Sequence, residues 1–324
     1  TVICVDNPSD VVYSIKDHGT DLLLDARIER MGVNPGYSNA TSDAFQIGSF
    51  FGGNNQAPMA IRPIWNLKKG KIRNLYSGGN KGAMTSPVGL LLNIPTTSEI
   101  VVDNVYGGCR MADVRPMEGN ADVGWNDIKL PDTEIDEETG QPIIIPAGLS
   151  ARVVIRGGDI NNVYGGNDIS GRVWGGNAVG IHTSIRGDVY GGGNGSYPYT
   201  DNPALANDKT YGDLYYSTAG YSSSAEALND FRPNAEQVSI RVIGKENVPT
   251  IIHGSIYLGG NSATLKTSPE RKPMLELKIG SYVIADNVFL GNNGVNMIST
   301  VGTDDHQLQE GVLRTYKRPI SALI

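Results

Sequence analysis

The sequence predicts an all-β chain wound as a single-stranded parallel β-helix, a solenoid with long loop insertions and a capped N-terminal end. Three observations predict it: a short phrase that recurs along the chain, a near-regular spacing between its copies, and abundant glycine. Of 324 residues 41 are Gly, while 19% are charged and 39% hydrophobic. That is close to twice the usual glycine share. Without a Gly-X-Y period collagen is excluded, and the glycines are expected at tight turns between short strands.

The phrase is aliphatic–aromatic–Gly–Gly–Asn. It reads Phe50-Phe51-Gly52-Gly53-Asn54, Leu75-Tyr76-Ser77-Gly78-Gly79-Asn80 and Val105-Tyr106-Gly107-Gly108-Cys109. It returns as Val163-Tyr164-Gly165-Gly166-Asn167, Val173-Trp174-Gly175-Gly176-Asn177 and Val189-Tyr190-Gly191-Gly192-Gly193-Asn194. The last copies are Ile256-Tyr257-Leu258-Gly259-Gly260-Asn261 and the degraded Val288-Phe289-Leu290-Gly291-Asn292-Asn293. With the Trp174 copy set aside, the first glycines of the pairs stand at 52, 78, 107, 165, 191, 259 and 291. Most of these intervals lie near 29 residues, and the two long ones hold insertions at about 110–150 and 195–236. The Trp174 copy falls inside one interval and is expected on a second face of its coil.

Each coil also carries an apolar run upstream of the phrase: Leu90-Leu92-Ile94, Ile143-Ile145, Val153-Ile155, Val238-Ile240-Val242 and Leu275-Leu277-Ile279. Their period of two predicts strands with one buried face. Ile169-Gly171-Val173, Ile185-Gly187-Val189 and Ile252-Gly254-Ile256 are expected to point inward together, and the copies at Ile72, Val102 and Ile160 are one residue shorter. Coils would then stack at roughly 4.8 Å, the distance between paired strands. The glycine pairs are expected to supply positive φ at the corner, and the following Asn to form a ladder with its copies, with Cys109 filling a ladder position. Residues 1–44 form the N-terminal cap and first coil, 45–293 the solenoid, and 294–324 a C-terminal end segment. Within the cap, residues 21–31 are expected as an amphipathic helix with Leu24, Ile28 and Met31 on one face, a capping strand being the alternative.

These corners and aliphatic stacks resemble right-handed parallel β-helix proteins of the bacterial surface. Adhesin-like repeat proteins of gut Gram-negative bacteria and autotransporter passengers, immunoglobulin A1 protease-type ones among them, are of this kind. The likeness runs from about residue 45 to 293. It implies a right-handed coil and a location outside the cell or on the bacterial outer surface. For activity it leaves three readings open: a non-catalytic adhesin-like scaffold, a polysaccharide lyase or glycoside hydrolase, and the stalk of an immunoglobulin A1 protease-like secreted protein.

Candidate binding residues lie in the second insertion: Tyr197, Tyr199, Tyr211, Tyr215, Tyr216 and Tyr221. A tyrosine offers a flat apolar face and a hydroxyl, which suits a sugar ring or a protein epitope. The same six also suit a loop that packs its own aromatics, with a short helix within Ser222–Asp230. In the first insertion Asp132, Glu134, Asp136, Glu137 and Glu138 read as a solvated hairpin rather than a calcium site. A sugar-cleaving groove would draw on Asp103, Asp159, Asp168, Asp188 and Asp286, with Asp159 and Asp188 aligned across coils. Turn-forming aspartates beside glycine explain these residues as well.

The four histidines His18, His182, His253 and His306 lie in no nucleophile context, and His253 is expected at the surface. No zinc-ligand spacing occurs, so no metal, cofactor or catalytic residue is expected. A formal charge of −7 without a basic run argues against nucleic acid as a partner. No apolar stretch reaches the length of a membrane span. The expected partners are a glycan or an extracellular host protein, met by a monomeric segment of a longer protein. The pairing of Cys4 and Cys109 is left open.

Overall fold

A computed structural model describes residues 11–18, 21–28, 47–60, 62–65, 67, 69–86, 89–115, 128–129, 144–145, 150–265, 275–295 and 312–315. The chain is all-β: strands make up 42% of it, and they lie mostly in parallel sheets. Two sheets dominate. The first face joins Ile47–Phe51, Lys69–Tyr76, Glu99–Tyr106, Asp159–Tyr164, Val189–Tyr190, Thr250–Tyr257 and Val283–Phe289 in that order. The second face joins Leu90–Ile94, Ala151–Ile155, Asn177–Ile181, Val238–Val242, Leu275–Ile279 and Val312–Thr315. The chain visits the two faces alternately, so hydrogen-bonded neighbours are one repeat apart in sequence.

A short third face completes each repeat. Met59, Met84, Val114 and Val173 are bridged in parallel, and Val173, Ala235 and Leu265 continue the column. The Trp174 copy of the phrase belongs here, on a face other than that of the tyrosine copies, as expected.

In register, inward residues form continuous apolar columns. One runs Phe50, Leu75, Val105, Val163, Val189, Ile256 and Val288. On the second face Leu92, Val153, Val179, Ile240 and Leu277 do the same, and all are buried in one core. Stacking places like on like, so each coil buries its apolar side chains against copies of themselves. Among the described residues no helix is long and apolar enough to cross a membrane.

Several expectations are corrected. Residues Asp21–Ile28 form the strand given as the alternative and not the helix: they pair antiparallel with Val11–His18 and parallel with Arg62–Trp65. The apolar run Leu22-Leu23-Leu24 allows either period, and the tertiary edge offered by Arg62–Trp65 decides for strand. Ile144–Ile145 pairs antiparallel with Ile128–Lys129 in a separate two-stranded sheet rather than joining the second face. Leu90–Ile94 pairs directly with Ala151–Ile155, so no level of the second face lies between them, and Asn177–Ile181, where a buried Asn177 interrupts the apolar pattern, stands between Ala151–Ile155 and Val238–Val242.

The corner glycines are there for space and not for positive φ. Only Gly175 and Gly176, in the Trp174 copy, have positive φ among the phrase glycines. At Gly107, Gly165 and Gly191 a Cβ would meet Val153 at 2.8 Å, Val179 at 2.7 Å and Val238 at 2.3 Å, and backbone of the next coil as closely. The second face presses directly on these corners. Gly187 and Gly254 are bulge residues facing outward, since a Cβ there would strike Asn162 Oδ1 at 2.3 Å and Asp188 Oδ1 at 2.4 Å. They account for the extra residue that the copies at Ile72, Val102 and Ile160 lack.

Candidate functional site

The site is built on three outward columns of the first face and its corner. The aromatic of each phrase stacks on the next: Phe51, Tyr76, Tyr106, Tyr164, Tyr190, Tyr257 and Phe289 have centroid separations of 4.7–4.9 Å and near-parallel rings. The strand spacing imposes this distance, which is also a good stacking distance. On one side runs a polar ladder. Asn104 donates to Asn74 at 3.1 Å and Asn162 to Asn104 at 3.0 Å; the Asp188 amide donates to Asn162 and the Ser255 amide to Asp188.

On the other side, at the corner, lies the second ladder: Asn55, Asn80, Arg110, Asp168, Asn194, Asn261 and Asn293. Asn80 donates to Asn55 at 2.7 Å and Arg110 to Asn80 at 3.1 Å. Asn293 donates to Asn261, Asn261 to Asn194, and Asn194 to Asp168, at 3.0, 3.0 and 2.9 Å. The expected asparagine ladder is found in part: Asn80, Asn194 and Asn261 belong to it, Asn54 and Asn167 give way to their neighbours Asn55 and Asp168, and Arg110 and Asp168 hold its central positions. Cys109 is not a member; it stands one residue earlier, fully buried, with burial pushing its thiol up to about 12. Its amide donates to Asn167 Oδ1 at 2.7 Å. Cys4 lies outside the described residues.

Asp168 is 2% exposed and accepts from Tyr76 Oη at 2.7 Å, Tyr197 Oη at 2.6 Å and Asn194. Burial, then the Asp168 charge, raises the Tyr76, Tyr106, Tyr164, Tyr197 and Tyr199 phenols well above their ordinary value. Tyr197 belongs to the second insertion, so Asp168 ties that insertion to the aromatic ladder. Tyr199 adds a hydrogen bond to the Ile169 carbonyl at 2.5 Å. A third tie is Asp213, 2.6 Å from Lys81 Nζ and 2.8 Å from Arg110. Burial alone would raise the Asp213 carboxyl, but hydrogen bonds from Lys81 and Arg110 outweigh it and hold the group below its usual range.

Above these anchors the insertion folds on itself. Pro203–Leu205 and Gly212–Leu214 are single 3-10 turns, and Ser224–Phe231 is the short helix expected from the sequence. Ser223 caps it by accepting from the Glu226 amide, while Glu226 accepts from Ser222. This is a capping box shifted by one residue. Tyr199 and Tyr216 pack on Phe231, Tyr197 on Tyr199, and Arg232 lies over Tyr199. Of the six candidate tyrosines, the structure thus gathers Tyr197, Tyr199 and Tyr216 into a small aromatic core. Tyr211 and Tyr221 are exposed, and Tyr215 is half-buried.

Between the insertion and the coil corner lies a cleft of about 340 Å³ lined by Met111, Ser170, Tyr216, Tyr221, Asp230 and Phe231 among others. Tyr221 Oη donates to the Asp230 carboxylate at its rim. Sequence reasoning found the tyrosines of this cleft but not Met111 or Ser170. Those come from other coils, and nothing in their local sequence marks them.

The other candidates are dispersed. Asp188 stands opposite Asn162, whereas Asp159 lies near the start of its strand and pairs with Arg186 at 2.5 Å, so the two do not align as expected. Asp103 accepts from Asn161 at 2.8 Å, and Asp286 is exposed. His253 is exposed at a bulge, as expected. Asp132, Glu134, Asp136, Glu137 and Glu138 lie outside the described residues. Among the described residues no group of three or more His, Cys, Asp or Glu is gathered as a metal site. No protein-family model, no curated protein and no solved structure matches the chain.

Proposed function

We propose that this chain is part of a right-handed parallel β-helix that works outside the cell as a non-catalytic, adhesin-like scaffold, displaying its second insertion to a glycan or an extracellular protein. One observation carries the reading: the insertion is a folded platform, with its own aromatic core, tied to three different coils and holding a cleft open toward solvent. A rigid stack that carries a pre-organised loop loses little entropy when that loop binds. In the cleft an exposed Tyr221 ring suits the C–H face of a sugar, and Asp230 and Ser170 suit its hydroxyls. The β-helical lyase or hydrolase alternative asks for carboxylates facing one groove, and those of Asp103, Asp159, Asp168 and Asp188 are each engaged separately. An immunoglobulin A1 protease-like stalk differs from the scaffold reading only in having no ligand of its own.

A glycan array with the parent protein and Tyr221→Ala tests the reading. Tyr221 is 38% exposed and outside the aromatic core, so the variant keeps its fold. Binding that falls tenfold or more in the variant supports a site in the cleft. A parent that binds neither glycans nor extracellular matrix proteins leaves the bare stalk.

A further inference from the structure

The cleft under the second insertion pairs an apolar lining with one idle hydroxyl. Ala227, Asp230 and Phe231 stand at i, i+3 and i+4 on the helix Ser224–Phe231, so one face of that helix lines the cleft. Met111 and Ser170 reach it from two neighbouring coils of the stack. Ala227 and Ser170 are 2% and 5% exposed, whereas Tyr221 is 38% exposed, so the cleft runs from a closed end at the first two to an open rim at the tyrosine. Around Ser170 the lining is apolar: Met111, Ala227 and Phe231.

Among the described residues no group bonds the Ser170 hydroxyl, and this oxygen is not one of the unpartnered polar atoms sealed from solvent. A hydroxyl buried without a partner is costly, and alanine would pack as well at this position. The partner of Ser170 is therefore what enters the cleft from solvent. We infer that the entering group is the acetamido substituent of a 2-acetamido sugar, an N-acetylhexosamine residue of a glycan; this rests on the glycan reading of the same cleft. An acetamido group joins a methyl to a carbonyl. Met111, Ala227 and Phe231 cover the methyl, the Ser170 hydroxyl donates to the carbonyl, and the sugar ring lies toward Tyr221 at the rim. A plain hydroxyl at the same carbon would leave the apolar lining unfilled and set a polar group against it. No lysine or arginine lines the cleft among the described residues, so the carboxylate of a uronic or sialic acid meets no counter-charge there. The volume of about 340 Å³ is small for a ligand pocket and suits one ring with its substituent rather than an extended chain.

The test is a binding titration of the full chain with matched glycosides: N-acetylglucosamine against glucose, and N-acetylgalactosamine against galactose. The parent should bind at least one acetamido sugar about tenfold or more tighter than its hydroxyl counterpart. Saturation transfer from the protein should be strongest at the acetyl methyl. Ser170→Ala should weaken the acetamido sugar about fivefold and leave the plain sugar unchanged. Its melting temperature should not fall, because the lost hydroxyl bonds nothing within the chain, so a merely structural role for Ser170 would show itself. Equal binding of the two members of each pair overturns the acetamido assignment and leaves the glycan reading standing. An acetamido preference that survives intact in Ser170→Ala overturns the assignment as well. A parent that binds no glycan of any kind removes both.

Discussion

At the scale of single residues, the tyrosine ladder makes a sharp statement about alkali. Burial and the Asp168 carboxylate raise the phenols of Tyr76, Tyr106, Tyr164, Tyr197 and Tyr199, and burial with Asp188 raises Tyr190. A folded-state value above the unfolded value of about 10 favours the neutral phenol in the fold. The resulting stability is fully present below about pH 10 and is lost as pH rises toward the folded value. In an absorbance titration these six phenols should ionise only together with loss of the β-sheet circular dichroism. Full phenolate absorbance with an intact spectrum would contradict the burial. The corner glycines give a second test. Where backbone freedom alone matters, Gly→Ala at negative φ stabilises by restricting the unfolded chain. At Gly165 the new Cβ would lie 2.3 Å from the Gly191 carbonyl oxygen and 2.7 Å from Val179. Gly165→Ala should therefore destabilise by roughly 1–3 kcal/mol in urea unfolding.

The second insertion is the element most separable from the stack, since side-chain ties hold it to neighbouring coils through Asp213, Tyr197 and Tyr199. Asp213 is depressed, so its contribution is present above the ordinary carboxylate value of about 3.9 and is lost as pH falls through its lower folded value. Partial exposure of Asp213 and Lys81 makes the effect small. Asp213→Asn should raise hydrogen exchange in 197–216 several-fold at pH 7 while leaving the strands of the first face protected. Below that lowered value parent and variant should become alike. Equal exchange at pH 7 would mean that the tyrosine ties alone hold the platform.

For the whole molecule, stability is close to a sum over neighbouring coils, so a charge inside one column breaks the stack at that level. Ile256 is fully buried between Val189 and Val288. Ile256→Asp should cost several kcal/mol and abolish cooperative melting, because the carboxylate enters the core unpaired. Ile284→Asp, at an outward position 51% exposed, should leave the melting temperature within a few degrees. If both variants melt like the parent, the inward and outward assignment is wrong.

The sequence by itself determined the repeat, and with it the parallel stack. Val105, Val163, Val189 and Ile256, each followed by a tyrosine, can bury the aliphatic and stack the ring only if successive copies lie side by side. It also marked the second insertion, because a cluster of tyrosines breaks the period there. Only the tertiary structure decided what the repeated residues do. Gly165 reads as a turn glycine until Val179 of the other face is seen against it. Asp168 reads as one more turn aspartate until Tyr76 and Tyr197, from distant parts of the chain, meet on it. Asp21–Ile28 reads as a helix or a strand until Arg62–Trp65 offers it an edge. The local code is periodic and therefore visible along the chain. The remaining choices are set by contacts between coils and between faces, which the order of residues does not display.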